Sequence, residues 1–150
     1  SLSTCGIVDK IYSLAKEKLQ ITLSVSLHAP NDRIRSQIMR INNTWGIKEL
    51  IDSCKYYIEQ TNRRISFEND SLENANELGK LLQGMLCHVN LIPLNASSSC
   101  NWQKSDSRNI YRFKNVLEKY RINTTIRRTL GKDIDGACGQ LKYKHTQRGG

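Results

Sequence analysis

Several protein classes are excluded by what this sequence lacks. The longest run without a formal charge, residues 81–103, is broken by His88, Asn90, Asn95 and a cluster of serines. A membrane-spanning helix needs about 20 mostly apolar residues, so no span is expected. The opening residues, Ser1 to Gly6, have neither the basic start nor the apolar run of a secretion signal. Cysteines at positions 5, 54, 87, 100 and 138 form no C-x-x-C pair and no other metal-ligand spacing. An odd cysteine count without a secretion signal predicts free thiols in a reducing compartment, and the expected location is the cytoplasm. No initiator Met is present, which predicts that the chain is a piece of a longer protein. Aromatics are nearly absent where charge is densest. Residues 121–150 hold only Tyr143, so that segment offers no stacking platform for single-stranded RNA.

What is present fits one ordinary domain. Hydrophobic residues make up 38% of 150 and charged residues 25%, enough for a packed core and against wholesale disorder. The formal charge of +9 is uneven: +3 over residues 1–40, +1 over 41–120 and +5 over 121–150. More than half of the excess therefore sits in the last fifth of the chain. Such a patch concentrates polyanions and suits nucleic acid better than a small acidic ligand. The plainer reading is a solvated tail.

Hydrophobic periodicity alternates between two kinds of element. Ile7, Ile11, Leu14 and Ala15 have helical spacing across 7–18. Residues 21–28 alternate strictly, with Ile21, Leu23, Val25 and Leu27 on one face and Thr22, Ser24, Ser26 and His28 on the other. Turn chemistry at 29–32 leads into a short helix from Asp32 to Met39. A helix is expected over 46–60 and a strand over 64–68. The next helix is expected to be capped by Asp70 or Ser71, with Glu73 completing a capping box after Asp70. Strands at 88–94 and 122–128 flank a polar loop and a helix over 107–120, and a Gly-bounded loop over 129–137 delivers Cys138.

This order implies parallel strands joined by helical crossovers, an α/β fold whose ligand site lies at the carboxyl ends of the strands. A polar inner face under an apolar, helix-covered outer face is the plan of a barrel with a ligand-binding centre. About four strands make only half of one, with open edges.

Four segments carry a resemblance: Leu2-Ser3-Thr4-Cys5-Gly6, Ser26-Leu27-His28-Ala29-Pro30-Asn31-Asp32, Asn90-Leu91-Ile92-Pro93-Leu94-Asn95, and residues 131–141 with Ala137-Cys138-Gly139-Gln140-Leu141. In order and approximate spacing the chain resembles the C-terminal half of the radical S-adenosylmethionine RNA methyltransferases that modify adenine (the RlmN/Cfr family). The resemblance implies the second half of a partial (β/α) TIM-like barrel over 1–120, with a C-terminal extension strand and loop over 121–150 that carries the catalytic cysteine. It implies S-adenosylmethionine contacts at Ser3, Ser26, Leu27, His28 and Asn95, with His28 taking part through its ring or its main chain. It implies that Cys138 is the cysteine that accepts a methyl group from one S-adenosylmethionine. A radical generated at a 4Fe–4S cluster from a second then converts that methyl into a carbon radical that adds to the base. Adenine C2 is neither acidic nor nucleophilic, which is why a radical relay through a thioether is needed. The implied substrates are 23S rRNA and tRNA, and the implied partners are an electron donor and the N-terminal half of the same protein.

The chain departs from the family pattern in three places. The cluster motif C-x-x-x-C-x-x-C is absent and is expected upstream of residue 1, so the chain alone is expected to be inactive. The connection after Phe67-Glu68 is several residues shorter than the family's. The loop after Asn95, Ala-Ser-Ser-Ser-Cys-Asn-Trp, is not proline-rich. Two other readings remain at this level: adenine-C8 methylation, and a non-catalytic RNA- or cofactor-binding half-domain. Without the motif, Cys138 would be an inert small residue. Cys54 and Cys87 are expected in the core, and Cys5 and Cys100 in loops.

Overall fold

A computed structural model describes residues 1–93 and 107–127. Cys138, Asn95 and Cys100 lie outside the described residues, as does all of the segment from 128 onward.

Among the described residues five strands form one parallel sheet: β1 (Leu2–Thr4), β2 (Leu23–Ser26), β3 (Ile65–Asn69), β4 (Cys87–Leu91) and β5 (Asn123–Ile126), in that spatial order. The count exceeds the expected four because Leu2–Thr4 pairs with Leu23–Val25 despite its three-residue length. Between the strands run α1 (Val8–Lys16), α2 (Asp32–Ile38), a 3-10 turn at Arg40–Asn43, α3 (Ile47–Thr61), α4 (Ala75–Leu82) and α5 (Ser107–Lys119). Each of β1 to β4 is joined to the next strand by a crossover that contains a helix, as the sequence alternation requires. Because all strands are parallel, their carboxyl ends share one rim of the sheet.

Register explains the two faces. Val25, Phe67 and Val89 are mutual neighbours across β2, β3 and β4, and all three are fully buried. Leu23 and Ile65 extend that layer, and Leu50, Cys54, Tyr57, Leu78, Leu82, Phe113 and Leu117 from the helices close over it. The residues between them, Ser24, Ser26, Ser66, Glu68, His88 and Asn90, necessarily face the other way. Cys54 and Cys87 lie in the core as expected, and Cys5 is exposed. Burial pushes the Cys54 thiol up to about 12 and the Cys87 thiol up to about 11.

One expected helix start is wrong. Neither Asp70 nor Ser71 caps α4. Asn74, at φ +55°, does so by accepting from the Glu77 amide at 3.3 Å. The residues before it are engaged elsewhere. Asn69 donates to the Ser71 carbonyl at 2.7 Å, the Ser71 hydroxyl accepts from Glu73 N at 3.3 Å, and the Asp70 carboxylate lies beside His28. The short β3–α4 connection therefore spends its polar groups on the strand ends, and the helix begins one turn late. The other starts follow local chemistry. Asn31 caps α2 by accepting from Ile34 N at 3.0 Å, and Glu49 accepts from Gly46 N at 2.9 Å at the start of α3.

Candidate active site

The exposed face of the sheet carries two polar rows. The first runs Ser3, Ser24, Ser66, His88 and Asn123 across all five strands. The second, nearer the rim, runs Ser26, Glu68, Asn90 and Thr125. Their side chains are wired together. Asn90 Nδ2 donates to Ser66 Oγ and to Glu68 Oε1, both at 3.0 Å. Thr125 Oγ1 donates to Asn90 Oδ1 at 2.5 Å, and His88 Nε2 lies 3.0 Å from Asn90 Oδ1 and 2.9 Å from Thr125 Oγ1. Asn90 Nδ2 thus holds one carboxylate oxygen of Glu68 while its Oδ1 accepts from Thr125, and the other Glu68 oxygen has no partner.

The strand ends hold unsatisfied groups. His28 Nδ1, Glu68 Oε2, Asn69 Oδ1 and Asp70 Oδ1 are out of solvent and have no hydrogen-bond partner. His28 Nδ1 and Asp70 Oδ1 lie 3.3 Å apart, close enough to attract but misaligned for a hydrogen bond. Buried polar atoms without partners are uncommon, and these four lie at or just beyond the carboxyl ends of β2 and β3, where parallel sheets bind their ligands. Two of the four are carboxylate oxygens, one is an amide oxygen and one is a ring nitrogen. The set suits a ligand rich in hydroxyl, amino or ammonium donors, which S-adenosylmethionine is.

The sequence-predicted contacts meet on this rim to different degrees. Ser3 pairs with Ser24 in register, and Ser26 pairs with Glu68, so both serines are on the polar face. Leu27 contributes no side chain to that face, because its own is fully buried in the core. Its amide and that of His28 both donate to the Glu68 carbonyl, at 3.1 and 3.0 Å. His28 itself stands at φ +60°, and its ring is turned toward Asp70. Glu68, Asp70 and the Ser66–His88–Asn90–Thr125 network were not singled out from sequence. The period-2 polar positions of β3 and β4 were the available signal, masked because every strand of such a barrel alternates.

An iron–sulfur cluster does not fit the described residues. No group of three His, Cys, Asp or Glu side chains among them could hold a metal. Cys54 and Cys87 lie on the helix-covered side with thiols that burial keeps protonated at neutral pH.

The sheet order, the polar rim and the crossovers define the class, a parallel α/β sheet of the partial-barrel kind. A domain of a pyruvate-formate lyase-activating enzyme from Bacteroides vulgatus superposes with a TM-score of 0.62 at 12% identity, over 80% of this chain and 74% of that one, and so shares the fold alone. The crystal structure of a radical SAM methyltransferase from Sphaerobacter thermophilus matches with a TM-score of 0.85 and 45% identity, over 92% of this chain and 42% of that chain. Among curated proteins, the probable dual-specificity RNA methyltransferase RlmN of Clostridium novyi is 55% identical over 97% of this chain. Its counterpart in Lachnospira eligens is 52% identical over 98%. No family model matches. Almost the whole chain is thus similar to the C-terminal half of proteins named as radical S-adenosylmethionine or RNA methyltransferases. It spans 44% of the length of each of those two curated relatives. Among the described residues, no helix is long and apolar enough to cross a membrane.

Proposed function

We propose that this chain is the cofactor- and substrate-facing half of an enzyme that methylates C2 of adenosine in 23S rRNA and tRNA through an S-methylcysteine at Cys138. The observation that carries the reading is the 49–55% identity to proteins named dual-specificity RNA methyltransferase, running through 97–99% of the chain. The donor-seeking rim supports it independently.

S-adenosylmethionine supplies the transferable methyl group when bound. In this reading Ser3, Ser26, His28 and Asn95 hold it, and Leu27 acts through its main chain alone. Glu68 Oε2 and Asp70 Oδ1 accept from the ligand's hydroxyl or amino groups. Cys138 works as a thiolate, which the net +5 of residues 121–150 favours. The same charge holds the RNA phosphates. Arg127, which follows β5 at the rim, is the one described residue of that basic group placed beside the site. The 4Fe–4S cluster and its ligands belong to the remainder of the protein. The electron donor docks there, and the enzyme works in the cytoplasm.

The test uses the full-length protein with reductant, S-adenosylmethionine and either 23S rRNA fragments or tRNA, with nucleosides resolved by mass spectrometry. 2-Methyladenosine in both RNAs is the expected product, and Cys138→Ala should abolish it. 8-Methyladenosine would replace the C2 assignment by C8. Methyl incorporation persisting in Cys138→Ala would sink the cysteine relay. RNA and cofactor binding without any methylation would leave a binding module.

A further inference from the structure

The end of β2 has a shape that a regular strand cannot have, and one buried side chain sets it. In an extended strand, successive carbonyls point to opposite sides. Here the carbonyls of Ser26 and Leu27 both turn to Arg35, at 3.1 Å from Nη2 and 3.0 Å from Nε. On the other side, the amides of Leu27 and His28 both reach the single Glu68 carbonyl. The result is a bulge, and it leaves His28 in the left-handed region.

Arg35 also ties this bulge to the neighbouring strand. Nη2 donates to the Cys5 carbonyl at 2.8 Å, just beyond β1, and Nη1 donates to Asn42 Oδ1 at 3.0 Å. Asn42 in turn donates to Asp32 Oδ1 at 3.0 Å, and that oxygen accepts the first amide of α3, Ile47 N, at 2.8 Å. Arg35 is fully buried. Burial depresses its pKa, partly offset by Asp32 among others. Its partners are four neutral oxygens rather than a carboxylate. Gly6 adapts to it: a Cβ there would come within 3.2 Å of Nη2 and 3.0 Å of Leu50 Cδ1, and its φ of +101° already requires glycine. A buried guanidinium is a poor way to add stability, since apolar packing of the same volume does as well or better. What the planar fork supplies is geometry, because several acceptors in fixed directions are satisfied at once.

We infer that Arg35 is a positioning residue for the cofactor site. It fixes the ends of β1 and β2 so that Ser3, Ser26 and His28 are offered to the ligand in one arrangement. This rests on the proposal that those residues bind S-adenosylmethionine.

The experiment compares wild type, Arg35→Lys and Asn42→Ala in the full-length protein. It measures S-adenosylmethionine affinity by calorimetry, RNA affinity, melting temperature, and hydrogen exchange of the Leu27 and His28 amides. Lysine keeps the charge and loses the fork. Arg35→Lys should weaken S-adenosylmethionine binding about tenfold or more, leave RNA affinity unchanged, and speed exchange at Leu27 and His28 while Val25 and Val89 stay protected. Asn42→Ala, which removes only the outer anchor, should act in the same direction by about threefold, and it decides the matter if Arg35→Lys does not fold. Folded variants with wild-type cofactor affinity and unaltered exchange would overturn the role of Arg35. Wild type failing to bind S-adenosylmethionine would instead overturn the cofactor reading, and the exchange data would still say whether Arg35 shapes the bulge.

Discussion

The two faces of one sheet are built from the same strands, residue by residue in alternation, and they obey opposite rules. On the helix-covered face Val25, Phe67 and Val89 are fully buried in the hydrophobic core. On the open face Ser66, Glu68, His88 and Asn90 hydrogen-bond to one another and leave acceptors unmet at the rim. The first face contributes stability through burial. The second face gives some up, since unmet buried acceptors are destabilising until a ligand arrives. The separation shows how a protein can carry a demanding site without losing its fold: the period of a strand insulates one from the other.

The largest expected effect sharpens that contrast. Phe67→Ala should destabilise the protein by about 3–5 kcal/mol, read by urea unfolding, because it would leave a cavity at a fully buried core position. Glu68→Gln, one residue on, should change stability by less than about 1 kcal/mol while weakening S-adenosylmethionine binding. If the two substitutions cost the same stability, the division of labour between faces is mistaken.

The buried thiols give the next largest effect. Cys54 titrates near 12 when folded against a reference value of 9.0. The folded state therefore holds its proton after the unfolded chain has lost it. Stability from this term is complete below about pH 9 and declines between about 9 and 12, by roughly 1 kcal/mol per pH unit. Cys54→Ala should flatten that alkaline decline in a pH series of melting temperatures. An unchanged slope would remove the thiol as its cause. At neutral pH a maleimide should label Cys5 and spare Cys54 and Cys87.

Packing between helices gives a smaller effect. A Cβ on Gly79 in α4 would stand 2.3 Å from the Tyr120 ring. Gly79→Ala should therefore displace that ring and destabilise by about 1–2 kcal/mol, despite alanine's better helix propensity. The smallest effect belongs to the exposed pair Lys48–Asp52 at 2.9 Å on α3, where Lys48→Ala should leave the melting temperature unmoved.

Much of this was legible beforehand because it is periodic. The alternation Leu23-Ser24-Val25-Ser26 states both faces of β2, and Leu78 and Leu82 show the buried side of α4. Boundaries read less well where a polar residue had two possible partners. Asp70 resembled a helix cap until the chain brought His28 to it from 42 positions away. Leu27 lies in a motif of contacts, yet register sends its side chain to the core.

The order of residues alone determined the class of fold, the two-faced strands and the family resemblance, because these depend on spacing within short windows and on motifs that survive as text. Tertiary structure alone decided that Asn90 locks Glu68, that four polar atoms stand unmet at one rim, and that Arg35 gathers the ends of two strands. Each of those depends on groups brought together across turns and crossovers, where distance along the chain says nothing about distance in space.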